Sequence, residues 1–115
     1  AVRVESSKKN SITTIKEISV QDFHNGKENE TISMTYDLDG NGIMDQIDCT
    51  YWDRWDALLF NITVNGKQTE YHTGYSRIGI TENKTNGFHD LICGDNTIYR
   101  WSGEVYEEKE ERKSH

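Results

Sequence analysis

Tyr36-Asp37-Leu38-Asp39-Gly40-Asn41-Gly42-Ile43-Met44-Asp45-Gln46-Ile47-Asp48-Cys49 joins two runs of alternating character, and that alternation decides the fold class. Before the acidic centre, Ile32, Met34, Tyr36 and Leu38 alternate with Ser33, Thr35 and Asp37. After it, Ile43, Ile47, Cys49 and Tyr51 share one parity. A period of two marks half-buried strands. The stretch therefore predicts a β-hairpin with an acidic turn.

The same signals repeat outward from the hairpin. In residues 12–23 the β-branched Ile12, Thr13, Thr14, Ile15, Ile18 and Val20 favour a first extended segment, ended by the turn chemistry of residues 24–29. Leu58, Phe60, Ile62 and Val64 alternate up to Asn65-Gly66, the strongest short hairpin signal, and residues 68–72 return as the partner strand. Ile78 and Ile80 resume the alternation. Asn83-Lys84-Thr85-Asn86-Gly87 turns into a strand over residues 88–93, Gly94-Asp95-Asn96 turns into residues 97–101, and Ser102-Gly103-Glu104 turns into Val105-Tyr106. Strands at this spacing predict an all-β domain, a small antiparallel sheet domain of consecutive hairpins that is either propeller-blade-like or a compact sandwich. It spans 12–106, between a flexible N-terminal arm, 1–11, and a charged C-terminal tail, 107–115, read as solvated or as a frayed short helix.

With 115 residues the chain has room for one core. Hydrophobic residues make up 33% against 29% charged, so large rings must fill much of that core. The net charge of −7 disfavours nucleic acid, whose phosphates need a basic footprint, and suits a basic protein partner. No apolar run is long enough to span a bilayer, so membrane insertion is not expected. Cys49 and Cys93 each stand in a strand-like segment. A bridge between them would close a long loop and stabilise the domain by about 4 kcal/mol, and it would imply the periplasm or the extracellular space. Two free buried thiols are the alternative.

Asp37, Asp39, Asn41 and Asp45, with the Ile43 carbonyl, stand at the spacing with which a short loop wraps oxygen ligands round a hard cation, and Gly42 permits the sharp turn. Calcium is the cofactor this pattern suggests, and the chain otherwise requires none. Asp48 occupies the place of the bidentate Glu of an EF-hand and the flanks are strand-like, so a helix-loop-helix hand is not expected. A plain tight turn, with Asp and Asn bonding their own backbone, is the competing reading. The loop resembles the Asp-x-Asp-x-Asn-Gly-x-x-Asp loops of integrin-type propeller repeats, a likeness that implies calcium.

Catalytic chemistry finds little footing. His89 and Cys93 share a strand face but stand over ~10 Å apart, too far for proton transfer. A zinc site from Cys49, Cys93, His72 and His89 lacks the short ligand spacing that would mark one. Asp39 and Asp45 as a hydrolytic carboxylate pair lie on a hairpin without a cleft. The chain is not expected to be an enzyme.

Three stretches in order, Asp37-Leu38-Asp39-Gly40-Asn41-Gly42, Lys84-Thr85-Asn86-Gly87-Phe88-His89-Asp90-Leu91 and Tyr99-Arg100-Trp101-Ser102-Gly103-Glu104-Val105-Tyr106, resemble small periplasmic bacterial proteins built round one propeller-blade-like sheet. The likeness covers residues 31–106. Among proteins of this look are immunity proteins against peptidoglycan amidases delivered by type VI secretion. The resemblance implies a periplasmic inhibitor, its leader absent from this chain, that inserts a loop into the active-site cleft of a secreted cell-wall hydrolase. Thr73-Gly74-Tyr75-Ser76-Arg77 is the first candidate loop, with Tyr75, Ser76 and Arg77 projecting from a tip. Trp55 with Asp53 and Asp56 is the second, an aromatic anchor amid charge. The alternative function is a calcium-stabilised extracytoplasmic structural or adhesion module.

Overall fold

The computed structural model describes residues 13–23, 30–52 and 54–110. The arm over residues 1–11, Asp53 and the last part of the tail, residues 111–115, lie outside them. The described residues form strands β1 (Thr14–Ser19), β2 (Thr31–Tyr36), β3 (Asp45–Trp52), β4 (Ala57–Val64), β5 (Lys67–Tyr75), β6 (Arg77–Thr85), β7 (Phe88–Cys93), β8 (Thr97–Trp101) and β9 (Tyr106–Glu110). A 3-10 turn over Val20–Asp22 follows β1, and Ser19 caps it by accepting the Gln21 N–H. No helix among the described residues is long and apolar enough to cross a membrane.

The strands make two antiparallel sheets, one in the order β2-β3-β4-β5 and the other in the order β1-β6-β7-β8-β9. Consecutive hairpins build both, with β1 added to β6 from far earlier in the chain, and the sheets pack as a compact sandwich. The alternation read from the sequence sets this packing. Along β4, Leu58, Phe60, Ile62 and Val64 are buried while Ala57, Leu59, Asn61 and Thr63 are half-exposed. Asn65 and Gly66 both take positive φ, 53° and 82°, the backbone that a two-residue hairpin turn demands. The core merges both inner faces: Met34, Leu38, Ile47, Cys49 and the β4 residues from one sheet meet Ile18, Ile78, Ile80, Leu91, Cys93, Tyr99 and Tyr106 from the other. Phe60 stacks on Tyr71 at 4.8 Å and meets Tyr99 edge-on at 5.6 Å. Large rings fill the sandwich as the lean composition requires.

Three expectations are corrected. The stretch Glu107-Glu108-Lys109-Glu110 is neither a free tail nor a frayed helix, though residues 107–109 are exposed: with Tyr106 it forms β9, the edge strand on β8, with Glu107 opposite Arg100 and Lys109 opposite Ile98. Backbone pairing with β8 orders a segment without apolar signal. Thr73-Gly74-Tyr75-Ser76-Arg77 is not a projecting loop, because β5 runs to Tyr75 and β6 starts at Arg77. There the chain steps from the edge of one sheet into the other. Cys49 and Cys93 are free thiols, both buried, and the expected bridge is not formed. They stand on β3 and β7, one in each sheet.

Candidate functional site

Asp37-Leu38-Asp39-Gly40-Asn41-Gly42-Ile43-Met44 links β2 to β3 at one end of the sandwich, and its conformation follows from its own side chains. Asp37 accepts the N–H groups of Asn41 and Gly42 at 3.0 and 2.8 Å, and Asn41 accepts the Ile43 N–H at 2.8 Å. Gly40 and Gly42 take φ of 74° and 89°, which other residues adopt only with strain. The coil holds the carboxylates together: one oxygen from each of Asp37, Asp39 and Asp45 lies within 4.8 Å of the other two.

The three acids sit in unlike surroundings. The Gly42 N–H, above all, holds the Asp37 carboxyl below its ordinary value. Asp45, only 2% exposed, is pushed the other way, first by burial and further by the charges of Asp39 and Asp37, while the Leu38 N–H partly offsets the rise. Its Oδ2 accepts that N–H at 3.0 Å, but Oδ1 is buried with no hydrogen-bond partner. The backbone N–H of Asn65 also lowers the carboxyl. Buried polar groups are normally paired, and leaving one unpaired costs about 1–3 kcal/mol. A buried, incompletely paired carboxylate clustered with two others is a donor set that suits a hard cation, for which such oxygens are the natural ligands.

The loop is anchored in both sheets. Leu38 is buried in the core, and its carbonyl accepts the His89 N–H of β7 at 3.0 Å. Asn41 Nδ2 reaches Asn65 Oδ1 at 3.5 Å, joining the loop to the β4–β5 turn. The sequence pattern placed the ligand set Asp37, Asp39, Asn41, Ile43 and Asp45 on one loop, and the structure brings the three acids together. Sequence reasoning missed the burial of Asp45 and the tie from Leu38 to β7. Asp45 carried a signal for the first: it has the parity of Ile47 and Cys49, which face the core.

The other candidate residues are dispersed. Tyr75 is half-buried, its hydroxyl 3.1 Å from that of Tyr99 and its ring 6.2 Å from Phe60. Arg77 donates to the Gly94 carbonyl at 2.9 Å and pairs with Glu17 at 2.8 Å. Ser76 alone of the three is exposed, and its carbonyl accepts the Val20 N–H. Trp55 lies in the β3–β4 turn at the far end of β3 from the acids. It is 62% exposed, with its ring 5.7 Å from Trp52. Asp56 accepts the Tyr51 hydroxyl at 2.7 Å. Of the zinc candidates, His89 has its Nδ1 2.7 Å from the Thr81 carbonyl, and His72 is exposed beside Glu70. Comparison with protein-family models, with curated proteins and with solved structures finds no match to this chain.

Proposed function

We propose that the protein is an extracytoplasmic binding module whose acidic hairpin takes a calcium ion as a structural cofactor. The observation that carries this reading is the clustering of the Asp37, Asp39 and Asp45 carboxylates, the last of them buried with one oxygen unpaired. Asp37, Asp39, Asn41, Asp45 and the Ile43 carbonyl would hold the ion, which supplies positive charge where the fold buries negative charge. The loop is anchored to β7 through Leu38 and to the β4–β5 turn through Asn41, so occupancy stabilises the end of the sandwich. Calorimetric titration with calcium is expected to show one saturable site that Asp39→Asn and Asp45→Asn weaken. No heat, with a melting temperature unchanged by chelator, would leave the loop as a plain turn.

The likeness to periplasmic immunity proteins gives the module a partner, a secreted peptidoglycan amidase that it blocks without catalysis of its own. The exposed indole of Trp55 favours this reading: tryptophan is enriched among binding hot spots, and a net charge of −7 speeds approach to a basic rim. Tyr75 and Arg77 make internal contacts, so the contact surface moves from that stretch to Trp55. Inhibition of secreted amidases by the parent, lost in a Trp55→Ala variant of equal melting temperature, supports it. Inhibition retained by that variant removes Trp55 from the contact. A parent that inhibits none of them removes the amidase.

A further inference from the structure

The outward face of the four-stranded sheet is interrupted at one place. Leu58 pairs with Tyr75 and Phe60 with Tyr71, so a step of two residues on β4 is matched by a step of four on β5. A bulge of this kind disrupts the ladder and re-aims side chains, and bulges recur beside binding sites. Here a depression of about 240 Å³ opens, with Thr50, Trp52, Leu59, Asn61, Glu70 and His72 in its lining.

The chemistry of this lining is mixed in a particular way. Trp52 and Leu59 give an aromatic and an aliphatic wall. Around them stand a hydroxyl, a carboxamide, a carboxylate and an imidazole, which between them donate and accept hydrogen bonds. Thr50 is held by the Thr31 hydroxyl at 3.0 Å, and Glu70 lies 3.7 Å from His72. The indole N–H of Trp52 is shielded from solvent, so Trp52 offers a ligand its ring rather than that donor. A pyranose ring matches each part. Its C–H face lies against the electron-rich face of an indole, and its hydroxyls each donate and accept. Apolar walls with a few placed polar groups are the usual make-up of a small-molecule site.

We propose that this depression is a saccharide-binding site in which Trp52 carries the sugar ring and Asn61, Glu70 and His72 hold its hydroxyls. The site rests on neither the cation nor the amidase: β3 places Asp45 at one end and Trp52 at the other, and Trp55 does not line the depression. An extended peptide added to β5 is the competing occupant, since β5 is an edge strand with unpaired backbone groups. The side-chain lining lies on the sheet face rather than along that edge, which favours the sugar.

Two-dimensional NMR of the full chain tests this with cellobiose, N-acetylglucosamine and its β-1,4-linked dimer as probes. The expected result is a saturable shift of the Trp52 indole resonance together with those of Asn61 and His72. Asn61→Ala and Glu70→Ala, at half-exposed and exposed positions that leave the core intact, are expected to weaken binding about tenfold each, the loss of one hydrogen-bonding group. No shift with any of the sugars at millimolar concentrations overturns the proposal, as does a shift produced by an extended peptide and by none of the sugars. Equal affinity in the Asn61 and Glu70 variants also overturns it.

Discussion

Asp45 and Leu38 lock the acidic hairpin to the core: Asp45 Oδ2 accepts the Leu38 N–H at 3.0 Å, and the Leu38 carbonyl accepts the His89 N–H on the facing sheet at the same distance. One residue thus carries a connection from a buried carboxylate to β7. The charge on Asp45 is therefore coupled to the way the sheets meet, and an ion that neutralises it acts on the whole sandwich.

Cation binding is expected to depend on acidity through Asp45. Its folded carboxyl is raised above the ordinary value of 3.8, so between those values the folded chain holds a proton that the unfolded chain has lost. The ion-free protein then loses stability as pH rises through that window. Asp37, lowered mainly by the Gly42 N–H, acts in the opposite sense: its contribution is present above 3.8 and is lost as pH falls through its lower folded value. A cation must displace the proton on Asp45, so its affinity falls as pH drops through the raised value. Titration calorimetry in buffers of different ionisation heat should detect proton release in that window, and Asp45→Asn should abolish it. Release of equal size in the variant would assign the proton elsewhere.

Tyr106 is expected to be the costliest residue of β9. It is 2% exposed, its hydroxyl donates to the His89 carbonyl at 2.6 Å, and its own carbonyl accepts the Tyr71 hydroxyl at 2.7 Å. Tyr106→Phe removes one hydrogen bond and should cost about 1 kcal/mol, a fall in melting temperature of about 4–8 °C for a domain near this size. Tyr106→Ala also leaves a cavity and should cost about 3–5 kcal/mol. A melting temperature unchanged by Tyr106→Ala would mean that β9 contributes nothing to the core.

The two cysteines are expected to be inert in the folded protein. Both are fully buried, and burial pushes the Cys49 thiol up to about 12 and raises the Cys93 thiol well above its ordinary range. The thiolate, the reactive form, is thus suppressed twice, by acidity and by access. A thiol reagent should leave both untouched under native conditions and label both in denaturant without reductant. No labelling in denaturant until reductant is added would show a bridge instead.

Most of the strand order was legible because apolar residues alternate: Leu58 to Val64 and the Asn65-Gly66 turn define the β4–β5 hairpin without tertiary information. Glu107 to Glu110 were not legible as a strand, since their order comes from pairing with β8, which leaves no local pattern. Thr73 to Arg77 misled for the reverse reason. Polar residues and Gly74 give turn signals, yet Tyr75 packs inward and Arg77 is held by Glu17 and Gly94. At the site, the acidic residues were legible by type and spacing. The isolation of Asp45 Oδ1 was not, because it depends on tertiary burial.

The most direct measurement is the melting temperature of the parent and of Asp45→Asn, each with calcium and with chelator. Calcium should raise the parent's melting temperature, because the ion relieves a buried, unpaired charge. In chelator the variant should melt at or above the parent, since the substitution removes a charge whose isolation costs about 1–3 kcal/mol, and calcium should then raise the variant's melting temperature less than the parent's. A variant less stable than the parent in chelator, or a parent indifferent to calcium, would contradict the account.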